Sequence, residues 1–413
     1  MIRWFRHPHR WFAATVFALA SCVSPPATTL ERDVPLNQLD DVALLETLWR
    51  ERARDLSVFS DEFFAAVPEK QLREILEQAI DGFGPVESVV EAAGSADYTL
   101  TTATHVVPLT LVRDRDGFVT GLLLRPPVSR NASLDAALEA LAADGARTSW
   151  LLTRNGERVD GMASDEALAI GSAFKLWVLD AYRRAVEAGD RRRDEVVVFE
   201  DRHRSWPSGL LQDAPDGLPV TLETLATLMI SMSDNTATDV LVDVLGRESV
   251  EALSPFEPLQ TTGEFFKIKL DPALESRYAA ADADERRRLL DTLSDVTLPP
   301  VAEMPAGPLP GAEWYASVEA LCEIIERVAD EPSMSVPTGL VDRSGWARVA
   351  DKGGSEQGVL NATTRLVAED GTVWCFAVTW NGEADGEGRA APLDELMLRA
   401  SVASVVARLA QER

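Results

Sequence analysis

The sequence predicts two folded parts: a small α+β domain, then a larger α/β domain in which helices pack on one antiparallel sheet. Three observations support this fold class. The chain has 413 residues, of which 46% are hydrophobic, enough for more than one core. In the first third, segments with helical periodicity precede β-branched segments. In the remainder, strand-like segments stand at both ends with helical segments between them.

The first 40 residues are typical of an export signal and a tether. Met1–Arg10 carries three arginines and no acid, and the apolar run Trp11–Ala20 is too short to span a bilayer. Leu-Ala-Ser before Cys22 resembles the lipobox of bacterial lipoproteins. We expect a signal peptide over residues 1–21, acylation of Cys22 and a tether over 22–40. The protein would then be lipid-anchored at the outer face of the bacterial cytoplasmic membrane; an ordinary signal peptide is the alternative.

The charge balance excludes polyanionic partners. The chain has 40 lysines and arginines against 67 acids, a formal charge of −27, so it would repel phosphate groups. We expect a small-molecule substrate, no nucleic acid, membrane contact through the lipid only, and a monomer. Only 4 histidines occur, which makes a histidine-rich metal site improbable. No metal and no cofactor are expected.

The first predicted domain spans residues 41–127. Its helices are expected to come first and its strands, joined by a turn over 113–117, to follow. The order is similar to the cone folds of the nuclear-transport-factor, ketosteroid-isomerase and cystatin types, and a non-catalytic adaptor role is favoured. The predicted elements are helices Val42–Ser57 and Lys70–Ile80 and strands Tyr98–Val112 and Phe118–Leu124.

The second predicted domain spans residues 130–413, after a linker around Pro126 and Pro127. Strands at both of its ends imply one sheet completed by chain termini that meet. Its helices are expected at Leu134–Ala143, Gly171–Ala188 and Leu393–Leu409, and its strands at Ser149–Thr153, Glu157–Ala163, Trp346–Asp351, Asn361–Ala368 and Val373–Trp380.

Two cysteines, Cys322 and Cys375, belong to this second domain. Each stands among apolar residues, which suits a buried thiol, so two free thiols are favoured. In an oxidising exterior the two residues can also pair, and the sequence leaves this open.

Ser172-Ala173-Phe174-Lys175, at the start of a predicted helix, supplies a candidate nucleophile. A spacing of three places the hydroxyl and the amine on one helical face, so an unprotonated amine can remove the seryl proton. The helix N-terminus also favours negative charge formed beside the serine. By itself, this pattern is more often a capping serine beside a surface lysine.

Two further motifs place polar residues at structural breaks. Ser233-Asp234-Asn235 stands between the predicted helices Leu222–Ile230 and Thr236–Leu245, where a hydroxyl and an amide can point into a cleft. A helix cap is the alternative. Lys352-Gly353-Gly354-Ser355 stands at the end of a strand. Its glycines let a ligand lie against the strand while the ammonium supplies positive potential; the alternative is a glycine turn.

In their order and spacing, the three motifs resemble those of the penicillin-recognising serine hydrolases, the class A β-lactamases in particular: Ser-x-x-Lys, Ser-Asp-Asn and Lys-Thr-Gly. They lie about 60 and then about 120 residues apart. The resemblance covers roughly residues 130–413 and implies an antiparallel sheet flanked by helices, with an all-helical lobe. Together with its front domain, the chain is similar to β-lactamase-like proteins found as actinobacterial lipoproteins and in clavam gene clusters.

The resemblance implies a role for each matched residue. Ser172 would be the acylated nucleophile, Lys175 its general base and Ser233 the proton relay to the leaving group. Asn235 would hold Lys175 and a substrate carbonyl, and Lys352 a substrate carboxylate. Burial beside a second ammonium would lower the pKa of Lys175 far enough for this role.

The third motif would also bind substrate through its backbone. A substrate would lie flat against Gly354, and the backbone N–H groups of Ser172 and Ser355 would form the oxyanion hole. Glycine at Gly353 replaces the family's threonine, a loss that Ser355 can compensate.

A second departure concerns deacylation. In true class A β-lactamases the deacylating glutamate precedes an asparagine by four residues, but no asparagine occurs between Asn235 and Asn361. Glu257 and Glu264 are the nearest candidates by position, and neither has that partner. We therefore predict that an acyl-enzyme forms while its hydrolysis is crippled.

Three functions compete at this point. The first is an exported serine hydrolase that forms an acyl-enzyme on Ser172 with an ester, an amide or a β-lactam. A peptidoglycan-like peptide is among the acyl substrates expected. The second is a true class A β-lactamase, and the third a non-catalytic cell-envelope binding protein. The two enzymatic hypotheses require that the amines of Lys175 and Lys352 converge on the Ser172 hydroxyl. The Ser-Asp-Asn motif must also lie beside that hydroxyl.

Overall fold

The chain folds into two units. The computed structural model describes residues 34–51, 54–92, 95–293, 296–298, 311–383 and 393–412. The first unit comprises the residues up to Leu141 together with Asp394–Glu412, and the second runs from Ala142 to Leu393. This division differs from the predicted boundary, because two helices expected in the second domain group with the first unit. The predicted signal peptide, Cys22 and most of the tether lie outside the described residues.

In the first unit, helices combine with an antiparallel sheet, as predicted. The strands pair in the order β1-β2-β3-β4, and β5 pairs with β3. Large apolar side chains of the helices, such as Trp49 and Phe83, share one buried core with Leu100 and Leu109 of the strands. The elements are α1 (Asp41–Arg50), α2 (Asp61–Ala66), α3 (Glu69–Phe83), β1 (Val86–Glu91), β2 (Asp97–Thr102), β3 (His105–Arg113), β4 (Val119–Leu124), β5 (Val128–Ser129) and α4 (Leu134–Glu139).

The predicted strand Tyr98–Val112 is in fact two strands, β2 and β3. The Thr102 hydroxyl accepts a hydrogen bond from the His105 N–H at 2.9 Å and lies 3.3 Å from the His105 carbonyl oxygen. These bonds close a tight turn at Ala103 and Thr104, which the β-branched composition conceals. The likeness of this unit to a cone fold stays a prediction.

The second unit is built on a five-stranded antiparallel sheet in the order β12-β13-β14-β6-β7, so β12 is an edge strand. Its elements are β6 (Ala146–Arg154), β7 (Glu157–Met162), β8 (Leu168–Ala169), α5 (Lys175–Glu187), β9 (Val196–Val198), β10 (Pro219–Thr221), α6 (Leu222–Ser231), α7 (Asn235–Leu245), α8 (Arg247–Glu251), α9 (Thr262–Leu270), α10 (Pro272–Ala280), α11 (Ala283–Asp291), β11 (Tyr315–Ala316), α12 (Val318–Val328), β12 (Arg348–Glu356), β13 (Val359–Val367) and β14 (Val373–Gly382). The last helix, α13 (Glu395–Leu409), groups with the first unit.

Helix α5 is the centre of the second unit. Four consecutive residues from Leu176 to Leu179 are all buried, so the helix has no exposed face over its first turns. Lys175 at its N-terminus is buried with them. Asp180 is buried as well, and arginines of α5 and α12 pair with its carboxylate.

A disulfide joins helix α12 to the sheet. Cys322 on α12 and Cys375 on β14 are bonded, with their Cα atoms 5.9 Å apart. The favoured expectation of two free thiols is therefore wrong. Both side chains are buried as their apolar neighbours suggested, but α12 packs against β14 and brings them together. No helix in the described part of the chain is both long and apolar enough to cross a membrane.

Candidate active site

The first motif lies on a single 3-10 turn, Gly171–Phe174, that leads into α5. Gly171 has a φ of 49°, a backbone conformation that glycine adopts without strain. The turn leaves Ser172 half-buried while Lys175 is fully enclosed. Within the described ranges the Ser172 hydroxyl makes no hydrogen bond to another residue. It is therefore a partly exposed hydroxyl at the end of a buried helix.

The amine of Lys175 has two carbonyl acceptors. It donates to the Ser233 carbonyl oxygen and to Asn235 Oδ1, both at 2.6 Å, and lies 3.2 Å from the Ser233 hydroxyl oxygen. A neutral amine has two N–H bonds and one lone pair. Because the two carbonyls take both N–H bonds, the lone pair stays available to a hydroxyl. This arrangement suits a general base.

In the Ser-Asp-Asn motif, the side chains of Ser233 and Asn235 contact Lys175, whereas that of Asp234 stabilises the backbone between the two helices. Asp234 is the N-cap of α7, and its carboxylate also accepts the backbone N–H groups of Leu210 and Leu211 at 2.7 and 2.9 Å. Gly209 has no room for a side chain, since a Cβ there would overlap the Asp234 carboxyl group. The helix-cap alternative is thus fulfilled by Asp234, which leaves Ser233 and Asn235 to face Lys175.

Lys352 lies in β12, which continues to Glu356, so the third motif stands at the end of a strand as predicted, although that strand reaches beyond its predicted end at Asp351. Its side chain is buried. The amine donates to the Gly353 carbonyl oxygen at 2.6 Å and to the Ser233 hydroxyl oxygen at 3.1 Å. The third motif therefore meets the second at one hydroxyl.

The two amines do converge, but on the hydroxyl of Ser233 instead of that of Ser172. The expectation that both would bind Ser172 directly is corrected in this respect. The physical reason is that the carbonyls of Ser233 and Asn235 draw the Lys175 amine toward the corner. Catalytic hydrogen bonds of this kind often close only when substrate is bound.

Strand β12 passes very close to the turn that carries the serine. A Cβ on Gly354 would lie 2.7 Å from the Ser172 backbone nitrogen and would overlap the Ile170 carbonyl oxygen. A Cβ on Gly171 would lie 3.4 Å from the Ser355 backbone nitrogen. The close approach of β12 to the turn that carries Ser172 therefore requires glycine at Gly354, whereas the contact at Gly171 is an ordinary van der Waals distance.

The electrostatics of the site lower the proton affinity of both amines. Burial, and then the charge of Lys352, hold the pKa of Lys175 well below its usual value. Burial lowers the pKa of Lys352 to about 7. Near neutral pH the pair therefore carries fewer protons than two exposed lysines would.

A further buried acid, Asp239, was missed by the sequence analysis. It lies one helical turn after Asn235 on α7, a spacing that places both on one face and was the available signal. Burial raises its pKa to about 7. Its carboxylate accepts the backbone N–H groups of Thr262 and Gly263 at 2.8 and 2.9 Å, which fixes the start of α9 against α7.

The two glutamates considered for deacylation have other surroundings. Glu264 caps α9 together with Thr261, and Arg247 binds its carboxylate at 2.7 and 3.0 Å. Glu257 is exposed. In the described residues, neither makes a hydrogen bond to a motif residue. In that same part of the chain, no group of three or more histidines, cysteines and acids is arranged to hold a metal ion.

Comparisons with known proteins find a family match over part of the chain. Residues 133–262, which contain the first two motifs, match the beta-lactamase enzyme family. No curated protein matches the chain. Among solved structures, the beta-lactamase from Sphaerobacter thermophilus is 21% identical over 68% of this chain and 95% of its own, with a TM-score of 0.46. The beta-lactamase from Burkholderia phymatum is 17% identical over 66% and 95%, with a TM-score of 0.45. The protein PBP-A is 16% identical over 67% and 96%, with a TM-score of 0.43.

Proposed function

We propose that this chain, whose residues 133–262 match the beta-lactamase enzyme family, is a serine hydrolase that forms a covalent acyl-enzyme on Ser172. The substrate class is an ester, an amide or a β-lactam. The observation that carries the proposal is the meeting of Lys175 and Lys352 at the Ser233 hydroxyl, beside the turn that holds Ser172.

The acylation step follows from these contacts. Neutral Lys175 takes the proton of the Ser172 hydroxyl, and the oxygen attacks the substrate carbonyl carbon. The backbone N–H groups of Ser172 and Ser355 stabilise the oxyanion that forms. The carbonyl then re-forms as the bond to the leaving nitrogen or oxygen breaks. Ser233 gives its proton to the leaving group and takes one from Lys175, which is neutral again.

Substrate recognition involves the remaining motif residues. Asn235 accepts from Lys175 through its amide oxygen, and among the described residues its amide nitrogen donates to no other group. That nitrogen is available to a substrate carbonyl. Lys352, when protonated, is the cation for a substrate carboxylate. Penicillins carry a carboxylate close to the reacting carbonyl and a second, amide carbonyl. Lys352 can bind that carboxylate while the Asn235 amide nitrogen donates to the amide carbonyl.

Deacylation is the slow step in this proposal. Glu264 is bound by Arg247 and Glu257 is exposed, so neither supports the role of a base that activates water. The acyl-enzyme should therefore accumulate. An aryl ester should release about one equivalent of its alcohol per protein, and a β-lactam should be opened to about one equivalent of bound acyl-enzyme, before slow turnover.

Export and lipid anchoring at Cys22 belong to the same proposal. The Leu-Ala-Ser-Cys string supports them, and so does the Cys322–Cys375 disulfide, because disulfides persist in oxidising compartments. Expression in a bacterium with metabolic labelling by a clickable fatty acid tests the anchor. The wild-type chain should be labelled and should be found with the membranes. The Cys22→Ala variant should not be labelled and should not be found with the membranes. Labelling of Cys22→Ala would contradict the proposal.

Intact-protein mass spectrometry after exposure to benzylpenicillin and to an aryl ester tests the function. The expected result is one adduct on wild type, none on Ser172→Ala, and an unchanged adduct on Ser231→Ala. Ser231 is a matched control, since it is a half-buried serine of α6 whose hydroxyl donates only to its own helix. An unlabelled wild type that still binds ligand would favour the binding-protein alternative. Many turnovers of nitrocefin would favour a true β-lactamase.

A further inference from the structure

A buried lysine outside the three motifs, Lys269 on α9, is held between two glutamates. Its amine lies 2.5 Å from Glu356 Oε2 and 3.4 Å from Glu313 Oε1. The lysine side chain is 1% exposed and that of Glu313 is 0% exposed. The Glu356 side chain is 17% exposed. Burying an ammonium and a carboxylate is costly unless the charges pair closely, so the geometry of Lys269 and Glu313 is tightly constrained.

The Glu356 carboxylate connects Lys269 to the third motif. Glu356 is the last residue of β12 and directly follows Ser355. Because β12 is an edge strand, only β13 supports it within the sheet. The contact with Lys269 therefore holds the end of the strand that carries the Ser355 backbone N–H.

The Glu313 carboxylate connects Lys269 to the first motif. The next residue, Trp314, stacks on Phe174 with ring centroids 4.1 Å apart and an interplanar angle of 6°. Its carbonyl oxygen accepts the Ile170 N–H at 3.0 Å. The segment that begins at Glu313 thus packs directly on the turn that carries the Ser172 backbone N–H.

The opposite end of α9 is tied to the second motif. Asp239 binds the first N–H groups of α9 and lies one turn from Asn235. A single short helix, Thr262–Leu270, is therefore fixed at its start to the Ser-Asp-Asn helix and near its end to the surroundings of the other two motifs.

We infer that Lys269 is a positioning residue for acylation, which sets the distance between the two halves of the oxyanion hole by holding Glu313 and Glu356 on one ammonium. The inference rests on the proposed function. Removing the ammonium would leave the buried Glu313 carboxylate and the partly buried Glu356 carboxylate to repel each other, and β12 would move away from the serine turn. A shift of about 1 Å in such a donor costs on the order of 100-fold in rate.

The test measures acylation of the full-length protein by a fluorescent penicillin at a series of concentrations, which separates the limiting rate constant from the half-saturating concentration. Lys269→Met should lower the limiting rate constant about 100-fold while the half-saturating concentration changes little. Lys267→Met is the matched control. It lies on the same helix, is half-buried and donates to the Leu293 carbonyl oxygen at 2.8 Å, and it should acylate like wild type.

A triple variant, Lys269→Met with Glu313→Gln and Glu356→Gln, removes the whole charge cluster and guards against misfolding of the single variant. Slow acylation by a folded variant, with a Tm well above the assay temperature, supports the inference. Wild-type rates in either folded variant overturn it, and so does failure of both to fold, because Lys269 would then be only a core-stabilising residue. If wild type itself is not acylated, the proposed function fails. If wild type is acylated and Lys269→Met is acylated equally fast, only the inference about Lys269 fails.

Discussion

The amine of Lys352 lies 3.1 Å from the hydroxyl oxygen of Ser233, although 119 residues separate them in the chain. Lys175 approaches the same oxygen to 3.2 Å. One hydroxyl thus links two buried amines whose pKa values are both lowered. A proton on either amine disfavours a proton on the other. The Ser233 hydroxyl, which both amines contact, can therefore carry a proton from Lys175 to the leaving group.

Replacing Lys175 by methionine should slow acylation by about 100- to 10,000-fold, the usual contribution of a general base. The substitution keeps the length of the side chain and removes only the amine. Stopped-flow measurement with a fluorescent penicillin gives the rate constant, and circular dichroism checks the fold. Wild-type kinetics in this variant would mean that another group, such as Lys352, removes the seryl proton.

Preference for a carboxylate-bearing substrate should fall as the pH rises through about 7, the pKa of Lys352. Below that pH the amine is an ammonium and binds the carboxylate; above it the amine is neutral and the attraction is lost. The measurement is the ratio of acylation rate constants for benzylpenicillin and an uncharged aryl ester between pH 5 and 9, a span of about two units on either side of that pKa.

The use of a ratio cancels the titration of Lys175, which both substrates require. In Lys352→Met the ratio should be low and independent of pH. A ratio in wild type that stays constant across the range would show that Lys352 does not bind the carboxylate.

Gly354→Ala should abolish most acylation and destabilise the protein by about 1–3 kcal/mol, because the new methyl group forces β12 away from the serine turn. Its Cβ would lie 2.7 Å from the Ser172 backbone nitrogen. Gly353→Ala is the control, since its Cβ would contact the Asn361 carbonyl oxygen at 3.1 Å and the Leu340 side chain at 3.5 Å, away from the serine. Urea denaturation and probe labelling check both variants. Equal labelling of the two would contradict the close approach.

Loss of the Cys322–Cys375 disulfide should lower the free energy of unfolding by about 4 kcal/mol, the value expected for a separation of 53 residues. The comparison is between wild type and Cys322→Ala/Cys375→Ala in guanidinium chloride. The active site should keep its labelling at room temperature, because neither cysteine belongs to it. An unchanged denaturation midpoint would indicate that the thiols are not bonded in the native protein.

The residues of the site could be found from the sequence because their spacing reflects local geometry. Ser172 and Lys175 are three apart at a helix start, and Ser233 and Asn235 flank a helix cap. The target of the two amines could not be found in this way. It depends on the left-handed backbone of Ser233, with a φ of 55°, and on the direction of its carbonyl, which follow from tertiary packing.

The disulfide and Lys269 escaped prediction for a related reason. Apolar neighbours around Cys322 and Cys375 fit a buried thiol and a buried disulfide equally well, and only the packing of α12 on β14 decides between them. A lysine such as Lys269, on a helix of mixed composition, is normally a surface residue. Its partners are 44 and 87 residues away, so no local pattern reveals them.

The third motif occupies the outermost strand of its sheet. A peptide-like acyl group lying along this border can exchange main-chain hydrogen bonds with β12 as if it were an additional strand. Such recognition uses the backbone amide groups that all peptides share, so it depends little on the side chains of the acyl group. Selectivity among acyl donors would then come from the carboxylate that Lys352 binds and from the shape of the group that departs.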